Sequence, residues 1–297
     1  MSNHSSSPIT SEQTRRRFLQ TGVLLMAGAT AGQAYAQGEQ PMLRIGLMTD
    51  LHYADKKPVG SRYYRETLDK IAEASGKLSG SSLDFLVELG DFIDAADAVD
   101  VELSYLKTIA KPFAGICHDR HYVLGNHCVD TLTKEEFLGA VEREKSYYSF
   151  DRSDYHFVVL DSCFRKDGKP YGRKNSIWTD ANVPPEELEW LADDLQRNEK
   201  KTIVFAHQRL DNEGDHAVNN SPEVRKILED SGNVTAVFQG HSHANDYHQV
   251  NGIHYCTLRA MVEESGLENS GFAILEIDRQ GGLKIEGFKK QVSYQWT

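Results

Sequence analysis

From residue 43 onward, short apolar runs alternate with stretches of helical spacing. Leu43-Arg44-Ile45-Gly46-Leu47-Met48 reads as a buried strand that ends at Asp50. Residues 62–78 carry Leu68, Ile71, Ala72 and Leu78 along one face, the period of a helix. Leu83 to Leu89 forms a second apolar run, stopping at Asp91. A helix around 98–111 leads to His121-Tyr122-Val123-Leu124, which stops at Gly125-Asn126-His127. The pattern recurs with Phe157 to Leu160 before Asp161, Thr202 to Phe205 before His207, and Val234 to Phe238 before Gly240-His241. Residues 184–197 open Pro184-Pro185-Glu186-Glu187, a helix start by its prolines and first-turn acids. Residues 248–258, 271–277 and 283–288 read as strands joined by tight turns, one at Asn251-Gly252.

This order predicts a single α/β domain over 41–297 with a β-rich C-terminal part; no repeat or low-complexity linker divides it. The polar clusters stand at the C-terminal ends of apolar strands, the edge where α/β sheets bind ligands. No run after residue 40 approaches the ~20 apolar residues needed to cross a bilayer.

The first 36 residues are set aside from the fold. Thr14-Arg15-Arg16-Arg17-Phe18-Leu19-Gln20 resembles a twin-arginine export signal. An apolar run from Val23 to Ala27 follows, and Ala34-Tyr35-Ala36 has the small-x-small pattern of a cleavage site. The mature chain is expected to begin near Gln37, to be periplasmic or secreted, and to keep no stable membrane insertion after cleavage. Without residues 1–36, 30 basic and 43 acidic side chains remain, a formal charge of −13. That balance argues against a nucleic-acid polymer as partner, since phosphate contacts want Lys and Arg. A small phosphate-containing substrate stays open, because bound metals reverse the local charge. Cys117, Cys128, Cys163 and Cys256 match no zinc pattern. An oxidising destination permits disulfides, but a core of this size does not need one, and the pairing is open, as is the oligomeric state.

Five segments form one chemical constellation: Asp50-Leu51-His52, Gly90-Asp91-Phe92-Ile93-Asp94, Gly125-Asn126-His127, His207, and Gly240-His241-Ser242-His243. Carboxylates, imidazoles and an amide oxygen together suit borderline divalent metals such as manganese, iron or zinc better than calcium. Glycines before Asp91, Asn126 and His241 are read as places where the backbone turns sharply.

In this order, DxH, GDxxD, GNH, H and GHxH, the segments resemble the calcineurin-like metallophosphoesterase family over residues 50–243. The resemblance implies a four-layer α/β/β/α sandwich of two mixed sheets and two divalent metal ions. Asp50, His52 and His243 would hold the first metal, Asn126, His207 and His241 the second, and Asp91 would bridge them. A metal-bridging hydroxide would attack phosphorus while His127 protonates the leaving group; Asp94 would support the ligands. Three departures matter. Cys128 stands where the family carries an acid that orients the histidine, so either another acid such as Asp130 takes that job or His127 is less basic. His207-Gln208-Arg209 lacks the usual nearby proline, making Arg209 a candidate for a substrate phosphate. No tyrosine marks the GDxxD position as in purple acid phosphatases, which argues against that subgroup.

Arg62 to Leu68, Tyr147 to Phe150, and His254 to Leu258 with Met261-Val262-Glu263 are similar to stretches of the manganese-dependent ADP-ribose/CDP-alcohol diphosphatases. They favour a phosphodiester or diphosphate bond in a nucleotide-like substrate. The alternatives are a phosphomonoesterase with the same metal site and a non-catalytic binding scaffold, which relatives became by losing ligands. His118, His121, His156, His216, His248 and His254 are read as surface or packed, and Trp178, Trp190 and Trp296 as packing. The cations of the 163–182 loop (Arg165, Lys166, Lys169, Arg173 and Lys174) either steer an anionic substrate or belong to a solvated loop, the reading preferred here.

Overall fold

The computed structural model describes residues 41–297. The expected export signal, residues 1–36 with its cleavage point near Gln37, lies outside them. Strand β1 (Leu43–Met48) shows how the layers arise. Leu43, Ile45 and Leu47 point into an apolar layer shared with Phe157, Ile203, Phe205, Ala236 and Phe238 of another sheet. Met48, reversed in the pleat, meets Ile71, Ala74 and Leu78 of helix α1 (Thr67–Leu78) and Leu106, Ile109 and Phe113 of α2 (Val99–Ala114). A strand buried on both faces reads as a continuous apolar run, which is why these strands were visible in the sequence.

In the first sheet β2 (Phe85–Glu88) and β3 (Arg120–Tyr122) continue parallel to β1. On the other side of β1, β10 (Gly271–Ile277), β11 (Leu283–Lys289) and β12 (Tyr294–Trp296) add antiparallel. The second sheet also has six strands. Its centre is parallel: β5 (Tyr155–Val159), β6 (Lys201–Phe205), β7 (Val234–Gln239) and β9 (Ile253–Thr257). Antiparallel β4 (Tyr148–Arg152) and β8 (Asp246–Val250) edge it. Helices α4 (Pro185–Gln196) and α5 (Ser221–Ser231) cover its outer face through Leu191, Leu195, Val224 and Leu228. The α/β/β/α sandwich is therefore present as expected. Short α3 (Lys134–Ala140) starts on a capping box, with Thr133 and Glu136 satisfying each other's backbone N–H.

The differences from the expected elements have local causes. The helical stretch expected across 62–78 starts after Arg62, which is held in a bridge with Glu263; Tyr64–Glu66 form a 3-10 turn that runs into the α-helix at Thr67. The 248–258 region is a hairpin turning at Asn251-Gly252, whose φ values of 49° and 88° are those of a tight two-residue turn. All four cysteines are free thiols, three of them buried. No helix among the described residues is long and apolar enough to cross a membrane.

Candidate metal centre

Asp50, Asp91, Asn126, His207 and His241 follow β1, β2, β3, β6 and β7 within a few residues, and the fold brings these strand ends together. Asp50, His52, Asp91, His241 and His243 all adopt left-handed backbone, at φ 51°, 43°, 60°, 67° and 61°. Such a conformation costs a non-glycine residue about 1–3 kcal/mol, and its concentration here marks a site held by its surroundings. Of the three glycines, only Gly90 turns through positive φ (102°). Gly125 and Gly240 serve close approach instead. A Cβ on Gly125 would stand 2.3 Å from the Asp91 backbone nitrogen, and one on Gly240 2.7 Å from Asp50 Oδ2.

Each donor is aimed by what holds its other end. Asp50 Oδ2 accepts from Thr49 Oγ1 (2.7 Å) and from the His241 N–H (3.0 Å), leaving buried Oδ1 without a partner. Asp91 Oδ1 accepts from the His127 N–H at 2.8 Å, so Oδ2 is presented. His52 Nδ1 faces Asp94 Oδ1 (3.2 Å), His243 Nδ1 faces Glu263 Oε1 (2.6 Å), and His207 Nδ1 donates to the Leu89 carbonyl (2.8 Å). These partners fix the tautomer with Nε2 unprotonated. His52 and His243 then oppose two Nε2 lone pairs at 3.0 Å, with Asp50 Oδ1 3.6 and 3.3 Å away. Without a metal ion or a proton between them that arrangement is repulsive. Asp91 Oδ2 stands 3.5 Å from His52 Nε2 and 3.1 Å from His207 Nε2, facing both groups of donors. Buried Asn126 Oδ1, His207 Nε2 and His241 Nε2 have no hydrogen-bond partner, a demand worth about 1–3 kcal/mol apiece. Donors bonding one cation at about 2.0–2.2 Å stand about 3–3.6 Å apart, so the residues present fit a pair of metal ions.

Comparison with known proteins agrees. The model of the calcineurin-like phosphoesterase family matches residues 43–245. The chain is a calcineurin-like phosphoesterase. It is 25% identical over 287 residues to a manganese-dependent ADP-ribose/CDP-alcohol diphosphatase of Oryza sativa subsp. japonica, covering 80% of this chain and 89% of that one. A Pseudoalteromonas protein described as a probable cyclic nucleotide phosphodiesterase is 27% identical over 227 residues, 71% of this chain and 75% of that one. A solved dimetal phosphatase from Danio rerio has a TM-score of 0.76 at 18% identity over 87% of this chain and 100% of its own, a likeness of fold. The calcineurin-like phosphoesterase is thus a metal-dependent phosphoester hydrolase with divalent metal cofactors, and the scaffold alternative falls.

In this phosphoesterase, the role expected of Asp130 belongs to Asp94, whose Oδ1 stands 2.6 Å from His127 Nδ1. Burial pushes Asp94 upward, but its contacts with His127 and His52 carry it well below the usual carboxylate range. Burial pulls His127 down, and the Asp91 and Asp94 carboxylates more than compensate, so it is more basic than an ordinary imidazole. Cys128 lies wholly buried beneath the site, its Sγ accepting from the Phe92 N–H at 3.3 Å. Arg209 is withdrawn from the candidates for substrate phosphate. Its guanidinium lies 2.6 Å from both Asp211 and Asp246, and it anchors the 209–218 loop through Arg209 N to His216 O and Val218 N to Arg209 O. With His248 those two aspartates form another group of metal-type donors, but the arginine already supplies their cation. Four of the five 163–182 cations, all but Lys166, are likewise taken up: Arg173 by Glu136, Lys174 by Asp97, Arg165 and Lys169 by Asp167.

A cavity of about 160 Å³ is lined by Asp91, Asn126, His127, His241 and His243 from the expected set, and by Arg62, Trp178 and His216 from outside it. Trp178 and His216 therefore belong to the rim, correcting their reading as packing and surface residues. Trp190 and Trp296 do pack, against Tyr147 and Phe238. Glu263 and Lys70 were also missed as support. Buried Lys70 donates to the carbonyls of Met261, Glu263 and Glu264 at 2.7–3.0 Å, fixing the turn whose Glu263 aims His243. Burial lowers that ammonium to about 8. Its sequence signal was a lysine within the buried stripe Thr67, Lys70, Ile71, Ala74 and Leu78.

Proposed function

We propose that this phosphoesterase hydrolyses a phosphodiester or diphosphate bond of a small nucleotide-like substrate, with manganese as its metal. Asp50, His52 and His243 would hold one ion and Asn126, His207 and His241 the other, with Asp91 facing both. When bound, the ions supply an activated water at neutral pH and neutralise charge on the phosphoryl oxygens. The observation that carries the reading is Arg62 beside His127 on the rim, Nη1 to Nε2 at 3.4 Å. Asp94 pairs with the His127 ring at Nδ1 and leaves Nε2 beside Arg62, where, once protonated and released from the guanidinium, it would give its proton to a leaving oxygen. Arg62, half-buried and 3.8 Å from Asp94, places a fixed cation on the same side. A leaving group that is itself a phosphate gains from that cation; a neutral alcohol does not. The diphosphatase and phosphodiesterase names of the relatives point the same way.

Manganese-loaded protein should turn over ADP-ribose or CDP-choline, whose leaving groups are phosphates, at a kcat/KM at least roughly tenfold above p-nitrophenyl phosphate, about one charge-assisted hydrogen bond. A preference for p-nitrophenyl phosphate would replace this reading with the phosphomonoesterase.

Export to the periplasm or beyond is proposed from residues 14–36 alone. Arg15→Lys with Arg16→Lys, expressed in a bacterium possessing a twin-arginine translocase, should leave the uncleaved precursor in the cytoplasm. Unchanged export and cleavage in cell fractions would count against that route.

A further inference from the structure

The cavity over the metal ligands, about 160 Å³, takes a phosphoryl group and its nearest atoms. Sites for whole small-molecule ligands run to about 300–1,000 Å³. The rest of any nucleotide-like substrate must therefore lie across the rim. Trp178 lines the cavity, and it and its chain neighbour Ile177 are 44% and 68% exposed, two of the five large apolar side chains most open to solvent among the described residues. Arg62 lines the same cavity.

Trp178 is not a loose surface residue. The Ile177 carbonyl accepts from Tyr171 Oη (3.3 Å) and the Asp180 N–H (3.0 Å), and Asn219 Nδ2 donates to the Thr179 and Ala181 carbonyls (3.4 and 3.0 Å). The indole is thus presented by a hydrogen-bonded loop. Its ring neighbours, His216 at 5.2 Å and His241 at 5.6 Å, are tilted by 51° and 58°, and neither lies parallel to it. A flat, half-exposed aromatic face beside a phosphoryl site is chemically suited to a nucleobase, because stacking on an indole is strong and tolerant of which base is present.

We infer that Trp178, flanked by Ile177 and His216, is the platform on which the base of a nucleoside phosphate stacks, so that the 163–182 loop sets substrate class. The inference rests on the nucleotide-like reading above and adds the element that recognises the base. It also explains why a loop whose cations are largely paired off with carboxylates still reaches the site: its contribution is the ring. Arg62, in the same lining, is left for phosphate.

The probes are AMP and ribose 5-phosphate, which share a phosphate and a ribose and differ by the base. With manganese-loaded wild-type protein, AMP should quench indole fluorescence and ribose 5-phosphate should not; Trp178→Phe should lose the quench while retaining AMP inhibition. Trp178→Ala should weaken inhibition by AMP about tenfold, or about 1.4 kcal/mol, leave inhibition by ribose 5-phosphate where it was, and raise KM for ADP-ribose. Hydrolysis of ADP-ribose with equal effects on AMP and ribose 5-phosphate overturns the platform and spares the proposed function. A base-dependent quench in a protein that hydrolyses no nucleotide substrate does the reverse. Loss of both overturns both.

Discussion

Asp91→Asn is expected to strip the protein of both metal ions and to abolish turnover. The argument lies in how the two oxygens of this carboxylate are used. Oδ1 accepts the His127 N–H at 2.8 Å, and Oδ2 faces His52 and His207 at 3.5 and 3.1 Å. An amide that keeps its oxygen on the His127 N–H turns its NH2 toward the cations, replacing an anion by a donor. Flipped, it sets NH2 against N–H. Either way two positive ions lose the one negative group that faces both. Removing one partner from a buried charge pair costs about 3–5 kcal/mol, which at about 1.4 kcal/mol per decade is about two to four orders of magnitude in affinity. Metal analysis of the purified variant with a turnover assay checks this. Full metal content with normal activity would remove Asp91 from the position facing both ions, while thermal unfolding of the metal-free proteins shows whether the substitution merely misfolds the chain.

The sequence reading succeeded where one residue type answers one physical demand. β1, β2, β5, β6 and β7 are buried on both faces, so their apolar runs stand out, and the donors follow at their ends. β4 escaped notice because Tyr148, Ser149 and Asp151 make a polar edge strand. Three-residue β12 had too little length for any periodicity. α3 did carry its start signal, Thr133 with Glu136 three residues on, but only one turn of apolar spacing after it. The site divides in the same way. Asp50, His52, Asp91, Asn126, His207, His241 and His243 lie in strand-end motifs, and the structure brings all seven together. The rim came from loops whose destination depends on tertiary packing: Arg62 through its bridge to Glu263, Trp178 from the 163–182 loop, His216 from a loop pinned by Arg209. Arg209 was misjudged for that reason, since a lone arginine near a ligand histidine says nothing about the two aspartates waiting for it.

His127→Ala should keep its metals and lose activity in proportion to the difficulty of the leaving group. Neither nitrogen of the ring is needed by the groups of donors around Asp50 and His207: Nδ1 is engaged by Asp94 and Nε2 lies beside Arg62. The His127 backbone N–H that steadies Asp91 survives the change to alanine. What disappears is a proton donor made more basic by two carboxylates. General-acid catalysis contributes about 10²–10⁴-fold, and its share depends on the leaving oxygen. A p-nitrophenolate leaves without a proton, so bis-p-nitrophenyl phosphate should suffer least; an unactivated alkyl diester should suffer most. A diphosphate should fall between them, because Arg62 remains to receive the departing phosphate. Asp94→Asn leaves the imidazole in place but removes the carboxylate that raises its basicity, and because the same oxygen faces the metal-holding His52 it should also weaken metal binding, so its losses follow this ranking only when metal is in excess. Equal losses on activated and unactivated esters in His127→Ala, with metal content intact, would place this histidine in substrate binding and move the proton to another donor on the rim.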